Sequence, residues 1–155
     1  PDRADVLLAC WRDVTERLRG PARLFIGGKS MGGRYASLFA ARPDAGADAL
    51  PMPGIAGIVC LGYPFHPPGK SERRRTDHLV RLPVPMLIIQ GERDPFGTPD
   101  EIAGYGLPAN VRLVWAPDGD HSLKPRKASG HSEAGNLGMA ADAIARFVTE
   151  PLSAS

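Results

Sequence analysis

The stretch ARLFIGGKSMGGRYASLFAAR, residues 22–42, decides the fold. Its opening, Ala22 to Gly27, is a short apolar run of strand length, and from Met31 a pattern of small and apolar residues reads as a helix stopped by Pro43. Between them Gly28-Lys29-Ser30-Met31-Gly32 fits G-x-S-x-G, with a strand before it and a helix after it. A serine on such a turn sits on strained backbone, and Gly28 and Gly32 are expected to remove clashes with the neighbouring strand and helix. The turn aims the Ser30 hydroxyl at the carboxyl ends of the strands. It also leaves the Met31 N–H at a helix N-terminus, where it can stabilise an oxyanion. Gly28-Lys29-Ser30 could instead close a phosphate loop, G-x-x-x-x-G-K-[ST]. The first glycine of that motif would fall on Arg23, in a segment too apolar to cradle phosphate.

Outward from this stretch, strands and helices alternate. Residues 3–19 carry Leu7, Trp11, Val14 and Leu18 at helical spacing, predicting an amphipathic helix ended by Gly20-Pro21. Residues 44–54 read as a loop, Ile55 to Leu61 as a buried strand, YPFHPPGK as a Pro-rich loop, and 72–82 as a polar, helix-compatible bridge. Pro85 to Gln90 reads as a strand buried on both faces, Pro99 to Leu107 as a short helix, and Val111 to Trp115 as a fourth strand. A long loop to Asn136 and a terminal helix, Leu137 to Glu150, follow. Alternation of this kind predicts an α/β fold, with a parallel sheet of about four strands flanked by helices, because each parallel neighbour needs a crossover.

A serine becomes a nucleophile when a base takes its proton and an acid orients that base. Asp94, in the turn GERDPFG beyond the third strand, is the candidate acid. Glu92 reads as a turn residue. His121, in DGDHSLKP beyond the fourth strand, is the candidate base, completing the chain order Ser30, Asp94, His121. His66, in the Pro-rich loop, His78, in the charged bridge, and His131, in a polar stretch, fit that order less well. Tyr63, Phe65 and Phe96 on strand-end loops suggest an apolar rim for an acyl or aromatic group.

The segments GGKSMGGR, GYPFHPPGK, GERDPFG and DGDHSLKP together resemble the small α/β-hydrolase-fold, dienelactone-hydrolase-like proteins. They are also similar to the hydrolase-like subunit 3 of the nonspecific-lethal chromatin complex and its testis-expressed relatives. That resemblance spans roughly residues 23–147. It implies Ser30, Asp94 and His121 as nucleophile, acid and base, with the Met31 N–H as oxyanion donor, no organic cofactor and no metal. Dienelactone hydrolases proper use cysteine where position 30 is serine. The full fold places further strands before the nucleophile, so the resemblance implies the carboxyl-terminal part of an α/β-hydrolase domain over residues 1–155. It also implies a bare sheet edge, through which self-association is expected.

Composition bounds the remaining choices. The 155 residues suit one domain, with 43% hydrophobic and 23% charged residues against wholesale disorder. The net charge of +2 is too small to mark a nucleic-acid binder. Most of it is local, because Lys70, Arg73, Arg74, Arg75 and Arg81 lie close together against Glu72 and Asp77. Cys10 and Cys60 sit in apolar contexts without metal-ligand spacing and read as reduced, buried thiols. A charged start and the lack of a long apolar run predict no membrane span and a cytoplasmic setting. The expected function is hydrolysis of a small acyl substrate. The competing expectation is a non-catalytic hydrolase-like interaction module docking through residues 70–81.

Overall fold

The computed structural model describes residues 3–41 and 54–150. Helix α1 (Ala4–Arg17) precedes strand β1 (Leu24–Lys29), helix α2 (Met31–Ala40) and strand β2 (Ile55–Leu61). A single 3-10 turn (Leu79–Arg81) leads to strand β3 (Met86–Gly91), helix α3 (Pro99–Ala103), strand β4 (Val111–Ala116) and helix α4 (Glu133–Thr149). The four strands pair in the order β1-β2-β3-β4, all parallel. β1 and β4 are the outer strands of this sheet among the described residues. The loop expected over 44–54 lies, apart from Gly54, outside them.

Alternation along each strand sorts side chains onto two faces. Ile26, Ile58, Cys60, Met86 and Ile88 point to one face, where Ala36 and Phe39 of α2 cover them. Leu87 and Ile89, with Phe25 and Val59 beside them, point to the other, under Ala140, Ala143 and Phe147 of α4. Every residue of β3 is buried, which explains its apolar run Met86 to Ile89. Burying each Ile or Phe stabilises by about 1.5–3 kcal/mol, so these two layers hold the sheet. Close approach depends on two glycines. A Cβ on Gly33 would lie 2.2 Å from Cys60 Sγ, and one on Gly27 would lie 2.2 Å from the Val59 carbonyl oxygen.

Several expectations need correcting. The stripe expected on α1 is divided: Leu8 and Trp11 pack on the core, with Trp11 stacked 6.4 Å from Phe39, while Val14 and Leu18 are exposed. Cys10 is exposed as well, because it lies on that outer face. The bridge at 72–82 forms only the 3-10 turn. Helix α4 begins one turn earlier than expected, because the Ser132 hydroxyl caps it by accepting from the Gly135 N–H at 3.0 Å. None of the described helices is long and apolar enough to cross a membrane.

Candidate active site

Ser30 links β1 to α2 in a conformation that side chains rarely adopt, with φ 52° and ψ −117°. The turn is held from the neighbouring strand, because the Ser30 N–H donates to the Leu61 carbonyl at 2.9 Å. Gly28 is tightly placed, since a Cβ on it would come within 3.1 to 3.2 Å of the Gly32 and Gly33 backbone. A Cβ on Gly32 would meet nothing within 4 Å. The elbow is therefore crowded at 28 and most of all at 33, and the clash expected at 32 is absent. β1 runs through Lys29, so the chain forms no phosphate-cradling loop. Lys29 Nζ instead donates to Ser122 Oγ at 2.8 Å, tying the elbow to the histidine loop.

The carboxyl ends of the strands bring the three candidates together. Ser30 Oγ lies 2.8 Å from His121 Nε2, and His121 Nδ1 lies 2.8 Å from Asp94 Oδ2. A carboxylate oxygen only accepts, so the proton between His121 and Asp94 sits on Nδ1 and leaves the Nε2 lone pair facing the serine. Asp94 is fully buried, while the His121 side chain keeps 24% of its surface accessible. The Phe96 N–H donates to Asp94 Oδ1 at 2.9 Å, and the Gln90 amide donates to Asp94 Oδ2 at 2.9 Å. The His121 ring lies tilted beside the Phe96 ring, 4.4 Å away by centroids, and the chain at Gly62 passes close to its Nδ1 edge. A Cβ at Gly62 would lie 3.1 Å from His121 Nδ1, and φ of +66° there suits glycine.

The loop carrying His121 is fixed at both ends. Asp118, at φ 49°, takes the Arg126 N–H at 2.7 Å and the Arg126 guanidinium, and Arg93 donates to the Asp118 carbonyl at 2.9 Å. Arg126 holds the Asp118 carboxyl down at about 2. Asp120 Oδ1 accepts from the N–H groups of Ser122 and Lys124 at 2.7 and 3.0 Å. Glu92 accepts the Asp118 N–H at 2.8 Å. These three carboxylates brace loops, and none of them meets the His121 ring.

The remaining candidates fall elsewhere. Tyr63 and Phe65 are fully buried, so of the expected apolar rim only Phe96 reaches the site. His66 is buried with Nδ1 2.9 Å from the Pro67 carbonyl, and His131 is exposed. His78 is buried against Ser37, 2.9 Å from its Oγ, a pairing that sequence reasoning missed because the two residues are 41 apart. Burial pushes the Cys60 thiol up to about 12, so it stays protonated behind the elbow. Among the described residues no group of three or more His, Cys, Asp or Glu is placed to hold a metal ion.

Residues 1–149 match the model of a family described as alpha/beta hydrolase domain. Among solved structures, the chain is similar to a monoacylglycerol lipase from Paleococcus ferrophilus at 13% identity and TM-score 0.65, covering 95% of this chain and 75% of that one. It is similar to an esterase domain from Rhodothermus marinus at 18% identity and TM-score 0.57, covering 94% and 68% respectively. A serine hydrolase homologue from Coxiella burnetii aligns at 15% identity and TM-score 0.58, covering 90% of this chain and 56% of that one. At these identities the likeness is one of fold.

Proposed function

The chain belongs to the alpha/beta hydrolase domain family, and on that footing we propose that it is a serine hydrolase acting on ester-like or other small acyl substrates. The observation that carries this reading is the unbroken hydrogen-bonded series Ser30–His121–Asp94 at the carboxyl ends of three parallel strands. In the proposed reaction His121 Nε2 takes the hydroxyl proton as Ser30 Oγ attacks the carbonyl carbon. Asp94 keeps Nδ1–H in place and balances the imidazolium that forms. The Met31 N–H, the first of α2, has no carbonyl one turn back to bond, so it is available to the oxyanion. His121 then returns the proton to the leaving group, and water, activated by the same imidazole, releases the acyl group from Ser30. The reaction as written needs no cofactor. The four quoted segments further support placing the chain among dienelactone-hydrolase-like proteins, with serine in place of their cysteine.

A fluorophosphonate probe tests the proposal, because it reacts covalently only with an activated serine. The wild-type protein is expected to be labelled, and Ser30→Ala is expected not to be. Equal labelling of both, or of neither, refutes the reading and leaves the fold as a non-catalytic module.

A further inference from the structure

We infer that Gln90, the last side chain of β3 before its terminal glycine, is the positioning residue that holds Asp94 toward His121. The inference rests on the serine-hydrolase reading above. Gln90 is fully buried at the end of an otherwise apolar strand, where an unpaired amide would be costly. It is not unpaired. Gln90 Oε1 lies 2.7 Å from the Tyr63 backbone nitrogen, and Nε2 lies 2.9 Å from Asp94 Oδ2, 3.2 Å from the Tyr63 carbonyl and 3.3 Å from the Gly97 carbonyl.

These partners settle which end of the amide is which. A backbone N–H can only donate, so the atom facing Tyr63 N is the oxygen; the other end then faces three acceptors, which suits an NH2 group. One amide hydrogen goes to Asp94 and the second is shared between the two carbonyls. Gln90 thus clamps the residue after Gly62 to the turn that carries the acid. Asp94 Oδ2 receives two donors, Gln90 and His121, and Oδ1 receives the Phe96 N–H. A carboxylate filled with three donors has its plane fixed, and the direction it offers His121 is fixed with it. The Gln90 side chain hydrogen-bonds neither Ser30 nor His121 and acts through Asp94.

The test compares wild type with Gln90→Leu, Gln90→Glu, Asp94→Asn and the Gln90→Leu/Asp94→Asn double variant. Three measurements are made: fluorophosphonate inactivation rate, kcat and KM for p-nitrophenyl acetate, and the downfield proton resonance of His121 Nδ1–H by NMR. Gln90→Leu is expected to lower kcat and the inactivation rate roughly tenfold to a hundredfold, as misplacement of a catalytic group does, with KM little changed. It is expected to add less than about twofold to the loss in Asp94→Asn, because a residue acting only through Asp94 has nothing left to position. The His121 proton is expected to shift upfield or vanish. Gln90→Glu keeps an acceptor for the Tyr63 N–H, and so carries the test if Gln90→Leu fails to fold. In that variant two carboxyls share the place of one, and the same proton should move. Wild-type rates with an unmoved resonance overturn the inference. So do losses that multiply in the double variant, since these would mean that Gln90 acts on the fold at large. If wild type itself neither labels nor hydrolyses, the hydrolase reading fails, and the resonance alone then decides whether Gln90 orients the Asp94–His121 pair.

Discussion

Helix α2 carries a serine–histidine contact at its start and another in its body, and they are nearly equal in length. Ser30 Oγ is 2.8 Å from His121 Nε2, and Ser37 Oγ is 2.9 Å from His78 Nε2. Their protons run in opposite directions. Behind His121 stands a carboxylate, so Nδ1 bears the hydrogen and Nε2 accepts from the serine. At the second contact Ser37 already donates to the Arg34 carbonyl at 2.8 Å, and Tyr63, whose hydroxyl lies 3.4 Å from His78 Nε2, donates to the Arg75 carbonyl at 2.8 Å. Each hydroxyl has only lone pairs left for His78, so the hydrogen there sits on Nε2 and the histidine donates. Ser30 also has strained backbone and an accessible partner, whereas Ser37 is a helical residue with no exposed surface. A short Ser–His distance therefore does not make a nucleophile. The acceptor behind the ring decides it.

Replacing that acceptor should give the largest effect. Asp94→Asn puts an amide where the carboxylate was, lets the ring adopt the other tautomer, and is expected to cut turnover by on the order of 10³- to 10⁴-fold. Ser37→Ala, by contrast, should leave turnover within about threefold of wild type while lowering the melting temperature, as a lost buried hydrogen bond does. If ester-hydrolysis kinetics rank the two variants the other way round, the tautomer argument fails.

The next effect is the pH dependence that His78 gives to stability. Burial, helped by Arg34 and Arg81, lowers His78 to about 4. The unfolded chain, with an ordinary imidazole, takes up the proton first as pH falls. The contribution is therefore complete above about pH 6.5 and is lost as the pH drops toward 4, amounting to about 2 to 3 kcal/mol by pH 4.5. Urea unfolding at pH 7 and pH 4.5 measures it. His78→Gln should flatten this dependence, and an unchanged slope in that variant would assign it to other groups.

The smallest effect concerns the loop that carries His121. Arg126→Met removes the guanidinium from Asp118 but leaves the contacts of the His121 ring with Asp94, Ser30 and Phe96 in place, so only a fewfold loss of kcat at pH 7 is expected, as for slight misplacement of a catalytic group. Asp118 is held low, so its interaction with Arg126 is complete above about pH 4 and is lost as the pH falls toward 2. Hydrogen exchange of the 118–126 amides at pH 6 should quicken in the variant. Unchanged protection would show that the loop is held without that guanidinium.

Much of this was legible in the sequence because glycine and proline punctuate it. The second, third and fourth strands fall within one residue of expectation, and Ser30, Asp94 and His121, chosen for their places after strands, lie within hydrogen-bond reach of one another. What escaped has physical reasons. Val6 to Trp11 is apolar at almost every position, so spacing could not choose the inward face of α1. Gln90 closes an apolar run and reads as a polar strand end, since only the tertiary fold brings Tyr63 and Asp94 to it. His78 sits among charges in the chain yet is buried in space, and no local pattern shows that. The early start of α4 did have a signal, in the capping serine at 132.

The bonding of His121 has a consequence in time. An imidazole held at both nitrogens, by Asp94 and by Ser30, and packed beside the Phe96 ring can exchange those nitrogens only by breaking both bonds together, which is expected to be slower than the nanosecond rotamer flips of exposed side chains. The ring therefore keeps one nitrogen toward the serine between encounters and does not search for its orientation at each arrival. A rapid-mixing experiment should then show product from the first milliseconds, with no lag before the steady rate.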